Sequence, residues 1–147
     1  MNPQAVQLNL TSPDRNSVLQ ELVQLVPGLQ RRPDEAARLL DGLIEREEMH
    51  STGIGDGLAL PHTRNTLGGL VMEPLIVFGR HSKGIDYGAI DSKPVHLFFL
   101  LLTTSITQHL HVLARMSRIL RNPELRASLL SVKTPADAIL EMQRWER

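Results

Sequence analysis

The sequence predicts a single α/β domain, residues 1–147, in which helices cover both faces of a small mixed β-sheet. Three observations predict it. Helical periodicity occupies the first and last parts of the chain, and strand-length apolar runs lie between them. The run VHLFFLLL at 95–102 is apolar nearly throughout, as a central strand covered on both faces must be. At 147 residues and 16.4 kDa the chain can bury one substantial core.

Residues 6–10 alternate weakly and predict a short edge strand. Over 16–26, Val18, Leu19, Leu22, Val23, Leu25 and Val26 form a helical stripe, which Pro27 and Gly28 end. A second helix begins near Pro33, with Asp34 and Glu35 at the positive end of its dipole. Ala36, Leu39, Leu40, Leu43 and Ile44 give its apolar face, and it runs to about Glu48.

Strand signals then take over. The spans 57–60, 70–80 and 94–103 read as strands, and SKGIDYGAIDSKP at 82–94 reads as a loop with a short strand at 85–87. Ser105 caps a helix over 106–120 that directs Ile106, Leu110, Leu113, Met116 and Leu120 inward. Asn122 and Pro123 break it, and a short helix follows over 124–130. TPAD opens the last helix, with Thr134 as cap, Pro135 first and Asp137 three residues after the cap.

Bulk properties narrow the function. Sixteen basic residues balance sixteen acidic ones, so charge gives no reason to expect nucleic acid or an anionic membrane as partner. Without cysteine there is no disulfide framework, thiolate metal site or thiol nucleophile, which fits a cytoplasmic location. The N-terminus does not read as a secretion signal, and the longest apolar run is too short to span a bilayer, so a soluble protein is expected.

Chemistry has to come from the histidines. His50 and His81 stand in polar loop contexts without a partner at useful spacing, and His96 reads as a strand residue satisfied locally. His62 differs. It ends the segment STGIGDGLALPHTR at 51–64, directly after Pro61, which lacks an N–H and pushes Leu60 into extended backbone. The upstream glycines can bring backbone N–H groups close to whatever the ring binds. From local pattern alone, a functional and a structural role both stay open. His109 and His111 lie two apart on a helix and cannot jointly ligate one metal. His109 falls in the first turns after Ser105, where the dipole favours an anion. Arg46, taken alone, reads as a solvated arginine on a charged face.

Three chemistries compete. GIGDGLALPH has neither a Gly-Lys-Ser/Thr phosphate loop nor a glycine fingerprint opening a long helix. A zinc hydrolase wants a close ligand pair such as two histidines four apart on a helix; none is present, though ligands distant in sequence could still converge. A phosphohistidine site needs only a neutral imidazole on stiff backbone with donors around it, and no metal or cofactor.

The segment LIEREEMHSTGIGDGLALPHTR closely resembles the active-site segment of enzyme IIA domains of the bacterial phosphoenolpyruvate-dependent sugar phosphotransferase system. The likeness is to the fructose/mannitol class, and most of all to its nitrogen-regulatory subclass. Arg46, Glu47, Ser51, Thr52, Gly53, Ile54, Gly55, Pro61 and His62 match the family pattern. DYGAIDSKPVHLFFLLL and QHLHVLARMSRIL resemble two further family segments in order, and the second places the family's other histidine on His109. The resemblance implies that family's sandwich fold and a phosphocarrier activity. His62 would accept a phosphoryl group from the histidine phosphocarrier protein and pass it to a IIB component. In the regulatory subclass it would signal instead to a kinase or transporter. His109 and Arg46 would hold the phosphoryl group, with Gly55, Thr63 and Arg64 as further phosphoryl-binding positions. Thr63 stands where most members have glycine, and the TRNTLGG loop at 63–69 departs from the family's acidic-basic stretch.

Overall fold

A computed structural model describes residues 3–64 and 70–146; the 65–69 part of the TRNTLGG loop and the extreme ends lie outside the described residues. A 3-10 turn at Pro3–Ala5 leads into β1 (Val6–Gln7), the short edge strand expected from the sequence. Asp14 caps α1 (Arg15–Gln24) by accepting from the Ser17 N–H at 2.9 Å. A 3-10 turn at Leu29–Arg31 then delivers α2 (Pro33–Met49), whose first residue is the expected proline.

The middle of the chain is more folded than its pattern suggests. Besides β3 (Leu58–Ala59) there is an unforeseen strand, β2 (Gly53–Gly55), antiparallel to it. The hairpin between them runs through Gly55, Asp56 and Gly57, with φ of 94°, 56° and 76°, a left-handed path that glycine and aspartate tolerate. β4 (Leu75–Ile85) starts later and ends later than the expected strand at 70–80. Pro74 supplies no N–H for a strand paired on both sides, so β4 begins just after it. Its far half, polar enough to read as loop, pairs irregularly with β5 (Val95–Leu102) up to Ile85 opposite Val95. The separate strand expected at 85–87 is therefore not formed; Ile85 closes β4, and Tyr87 turns into the core.

α3 (Ile106–Ile119), α4 (Pro123–Ser131) and α5 (Pro135–Trp145) follow, capped by Ser105, Asn122 and Thr134. Strand order is β1-β4-β5-β3-β2, with β1∥β4 and β5∥β3 parallel and the other neighbours antiparallel, so the sheet is mixed. β5 sits at its centre. Phe98, Leu100 and Leu102 join the core beneath α1 and α2, while Leu97, Phe99 and Leu101 join the core beneath α3, α4 and α5. Burial on both faces of β5 and helices on both faces of the sheet are the predicted architecture.

One expected face is corrected. Met116 and Leu120 are buried, but Ile106 is 66% exposed and Leu110 60%. The buried stripe of α3 is Met116 and Ile119, with Val112 and Leu113 half-covered. The first turns of α3 stand clear of the core, and that stretch carries His109. No helix among the described residues is long and apolar enough to cross a membrane.

Candidate active site

β3 and β5 are parallel neighbours, so the chain leaves both strands at the same edge of the sheet. Past β3 the pairing continues: the Leu101 N–H donates to the Pro61 carbonyl at 2.9 Å. Pro61 has no donor to offer the ladder, and the chain departs there, setting His62 at the rim. Past β5, Ser105 accepts from the Gln108 N–H, and Gln108 Oε1 reaches back to the Thr104 N–H at 2.7 Å. This double cap fixes the start of α3, and His109 follows one residue later. Two segments 47 positions apart thus meet at the carboxyl edge of one parallel strand pair.

There the rings of His62 and His109 stand 4.7 Å apart, tilted by 46°. Nδ1 of His62 lies 2.7 Å from the Leu60 carbonyl oxygen, and only a protonated Nδ1 can bond to a carbonyl. Nε2 then carries the lone pair. Burial depresses the His62 pKa, the Leu60 bond opposes that, and the Arg46 charge adds to the depression. His109 is depressed by burial first, then by His62 and by Arg46. Both rings are held neutral at neutral pH.

Arg46 lies in the last turn of α2 and is half-buried, donating through Nη1 to the His50 carbonyl at 2.6 Å. Its charge reaches both histidines, which corrects the solvated surface arginine that the pattern alone suggests. Thr63 is half-buried against α2, where a Cβ added to Gly42 would come within 3.1 Å of the Thr63 γ-methyl. Gly42, in a helix interior where glycine is otherwise unfavourable, leaves the room that Thr63 occupies. Arg64 is exposed.

The structure gathers His62, His109, Arg46 and Thr63 but not Gly55. Gly55 pairs across the hairpin with Leu58, and Leu58 itself is four residues before His62, about 13 Å along extended chain. An added Cβ on Gly55 would meet Asp91 instead. These glycines shape the turn of the hairpin and do not line the histidine pair. The remaining histidines are elsewhere. His50 and His111 are exposed. His81 is buried within β4, with Nε2 2.9 Å from the Ser12 carbonyl and Nδ1 accepting from the Gly84 N–H, so the polar loop expected around it is corrected to a strand. His96 is satisfied locally, as expected, by a 3.0 Å bond to the His81 carbonyl.

Sequence reasoning missed the support beneath the site. The Glu47 carboxylate is 4% exposed and accepts from both the Thr52 N–H, at 2.8 Å, and the Thr52 hydroxyl. Burial, and then the Glu47 charge, push the nearby Tyr87 hydroxyl well above its ordinary pKa. The one signal for Glu47 was its place beside Arg46. Behind the pair, a cavity of about 10 Å³ reaches His109, Thr63 and Thr103, room for no more than a water. Among the described residues no three His, Asp or Glu side chains converge as a metal centre would require.

A family model described as the phosphoenolpyruvate-dependent sugar phosphotransferase system, EIIA 2, matches residues 1–144. The chain is 34% identical over 139 residues to the PTS system fructose-specific EIIABC component of Bacillus subtilis, covering 93% of this chain and only 21% of that longer protein. It is 30% identical over 138 residues to the nitrogen regulatory protein of Pseudomonas aeruginosa, covering 92% of this chain and 86% of that one. Among solved structures, the nitrogen regulatory protein IIA-Ntr of Neisseria meningitidis superposes with a TM-score of 0.82 at 27% identity, covering 99% of this chain and 95% of that one. The IIA mannitol domain of Escherichia coli, solved in complex with its phosphorylated IIB, superposes with a TM-score of 0.81. At 12% identity, over 98% of this chain and 97% of that one, it shares the fold.

Proposed function

The chain belongs to the phosphoenolpyruvate-dependent sugar phosphotransferase system EIIA 2 family, and from that premise we propose that it carries phosphate on Nε2 of His62. The observation that carries this reading is the 2.7 Å bond from Nδ1 to the Leu60 carbonyl, which leaves Nε2 as the nucleophile. The donor is the phosphorylated histidine of the phosphocarrier protein. The Nε2 lone pair attacks phosphorus in line, the bond from phosphorus to the donor nitrogen breaks, and that electron pair returns to the donor imidazole. Little covalent work falls to the protein beyond positioning and charge stabilisation. Arg46 supplies positive charge to the phosphoryl oxygens, and His109, 4.7 Å away ring to ring, supplies a hydrogen bond.

The shape of the site favours a protein donor over a small substrate. The cavity that reaches His109, about 10 Å³, is too small for a ligand, and exposed Ile106 and Leu110 flank His109 on α3. Incubation with phosphoenolpyruvate, enzyme I and the phosphocarrier protein is expected to yield an acid-labile, base-stable phosphate. His62→Ala is expected to abolish it, and label surviving in that variant would refute the assignment.

A second reading rests on the 30% identity to a nitrogen regulatory protein along 86% of its length. In that reading the phosphoryl group on His62 is a signal, and the protein docks on a kinase or transporter according to its phosphorylation state. Transfer of label onward to a separate IIB component supports carriage. Capture of a partner that depends on phosphorylation, without such transfer, supports regulation.

A further inference from the structure

Glu47 is expensive to place where it is. It is 4% exposed, and no cation pairs with it among the described residues. It also lies in the last turn of α2, where the helix dipole presents its negative end. A buried carboxylate without a cation has to be held by hydrogen bonds, and its desolvation works against stability. Fastening a loop does not by itself call for a charge. The geometry offers a more specific reason.

A carboxylate only accepts, so it dictates the direction of every bond it makes. Both donors of Thr52, the N–H and the hydroxyl, turn toward Glu47, and the Tyr87 hydroxyl lies 3.5 Å from the Thr52 hydroxyl. The Thr52 carbonyl in turn accepts from the Leu60 N–H at 3.0 Å. Leu60 in turn presents the carbonyl that takes the Nδ1 proton of His62 at 2.7 Å. An unbroken series of contacts therefore runs from a buried carboxylate to the ring nitrogen opposite the reactive one. Each link is positional: it fixes the next backbone group in place. A neutral amide at position 47 would both donate and accept, so Thr52 could be held in more than one orientation.

We propose that Glu47 is a positioning residue for His62, acting through Thr52 and Leu60 to fix the Leu60 carbonyl and so keep the imidazole proton on Nδ1. The proposal rests on the reading of His62 as the phosphoryl acceptor, but its test does not use phosphoryl transfer.

The measurement is 15N NMR of the histidine rings, at a pH where they are neutral, in the wild-type chain and in Glu47→Gln, Thr52→Val and Thr52→Ser. The wild-type ring of His62 is expected to read as the Nδ1–H tautomer. In Glu47→Gln and in Thr52→Val the ratio of Nδ1–H to Nε2–H is expected to fall about fivefold, the effect of weakening one hydrogen bond. Thr52→Ser, which keeps the hydroxyl, is expected to restore the wild-type ratio. His81 and His96 serve as controls, since their bonds to Ser12 and His81 are remote from Glu47 and their signals report whether the fold is intact. Should Glu47→Gln fail to fold, the contrast between Thr52→Val and Thr52→Ser decides. An unchanged His62 ratio in folded Glu47→Gln, or equal ratios in the two Thr52 variants, overturns the proposal, as does a wild-type ring that reads Nε2–H. A shifted tautomer in a protein that never takes up phosphate leaves the positioning role standing and refutes the carrier reading instead.

Discussion

Two pairs of histidines meet in this structure, and they are built to opposite ends. His81 and His96 occupy the sheet, on β4 and β5. Nε2 of His81 donates to Ser12, its Nδ1 accepts from Gly84, and Nδ1 of His96 donates to the His81 carbonyl. Those bonds join the irregular end of β4 to the approach to α1 and to β5. His62 and His109 stand at the sheet's carboxyl edge, ring facing ring, and His62 commits only Nδ1 to backbone. His81, both of whose ring nitrogens bond to backbone, is a strut, and His96, which like His62 commits Nδ1, does so inside the sheet. A histidine whose second nitrogen stays uncommitted at a rim can react.

The sharpest way to break that contrast is to exchange the consequences of mutation. His62→Ala is expected to lose phosphorylation entirely while keeping its thermal transition, and His81→Ala is expected to do the reverse. Leaving the Ser12 carbonyl and the Gly84 N–H unpaired is expected to destabilise by about 1–3 kcal/mol, a fall in Tm of several degrees by calorimetry, with labelling at the wild-type rate. In the proposed carrier role His109 contacts the transferring phosphoryl, and on that reading His109→Ala is expected to drop the single-turnover labelling rate about 10²–10³-fold. Arg46→Gln removes the charge proposed to contact the phosphoryl oxygens and is expected to slow labelling about tenfold.

Acidity gives the smallest effect. Burial lowers the pKa of both His62 and His109, so both rings stay neutral below the usual imidazole value of about 6.5. The labelling rate is expected to hold through that value and to fall only on further acidification. Arg46→Gln is expected to move the midpoint upward, since its charge lowers both groups. The same shifts bear on stability. Between the folded pKa and about 6.5 the unfolded chain binds more protons than the folded one, so stability rises with pH across that window and is lost as pH falls through it. Urea titrations of wild type and His62→Ala across the window are expected to differ in slope, the variant being flatter.

How far this could be read in the sequence follows from which forces are local. Caps and prolines are local, so the starts of α2, α3 and α5 came out close to Pro33, Ser105 and Thr134. β5 was legible because burial on both faces leaves no polar alternation to misread. The polar half of β4 was not, since only pairing with β5 makes a strand of residues such as Ser82 and Lys83. The inward stripe of α3 failed at Ile106 and Leu110 because periodicity reports which residues share a face, not whether the core extends beneath it. Pro61 and the strand before it marked His62 out, but local pattern left its role open, and only the family resemblance pointed to phosphate. The link from His62 to Glu47 was not legible, because it depends on backbone carbonyls, which no residue type announces.

The account stands on one atom, Nε2 of His62. NMR of the phosphorylated, 15N-labelled protein, read through phosphorus–nitrogen coupling, reports that atom directly. The predicted result is a single phosphoryl group bonded to Nε2 of His62, with Nδ1 still protonated. Phosphate on Nδ1, or on His109, would contradict it.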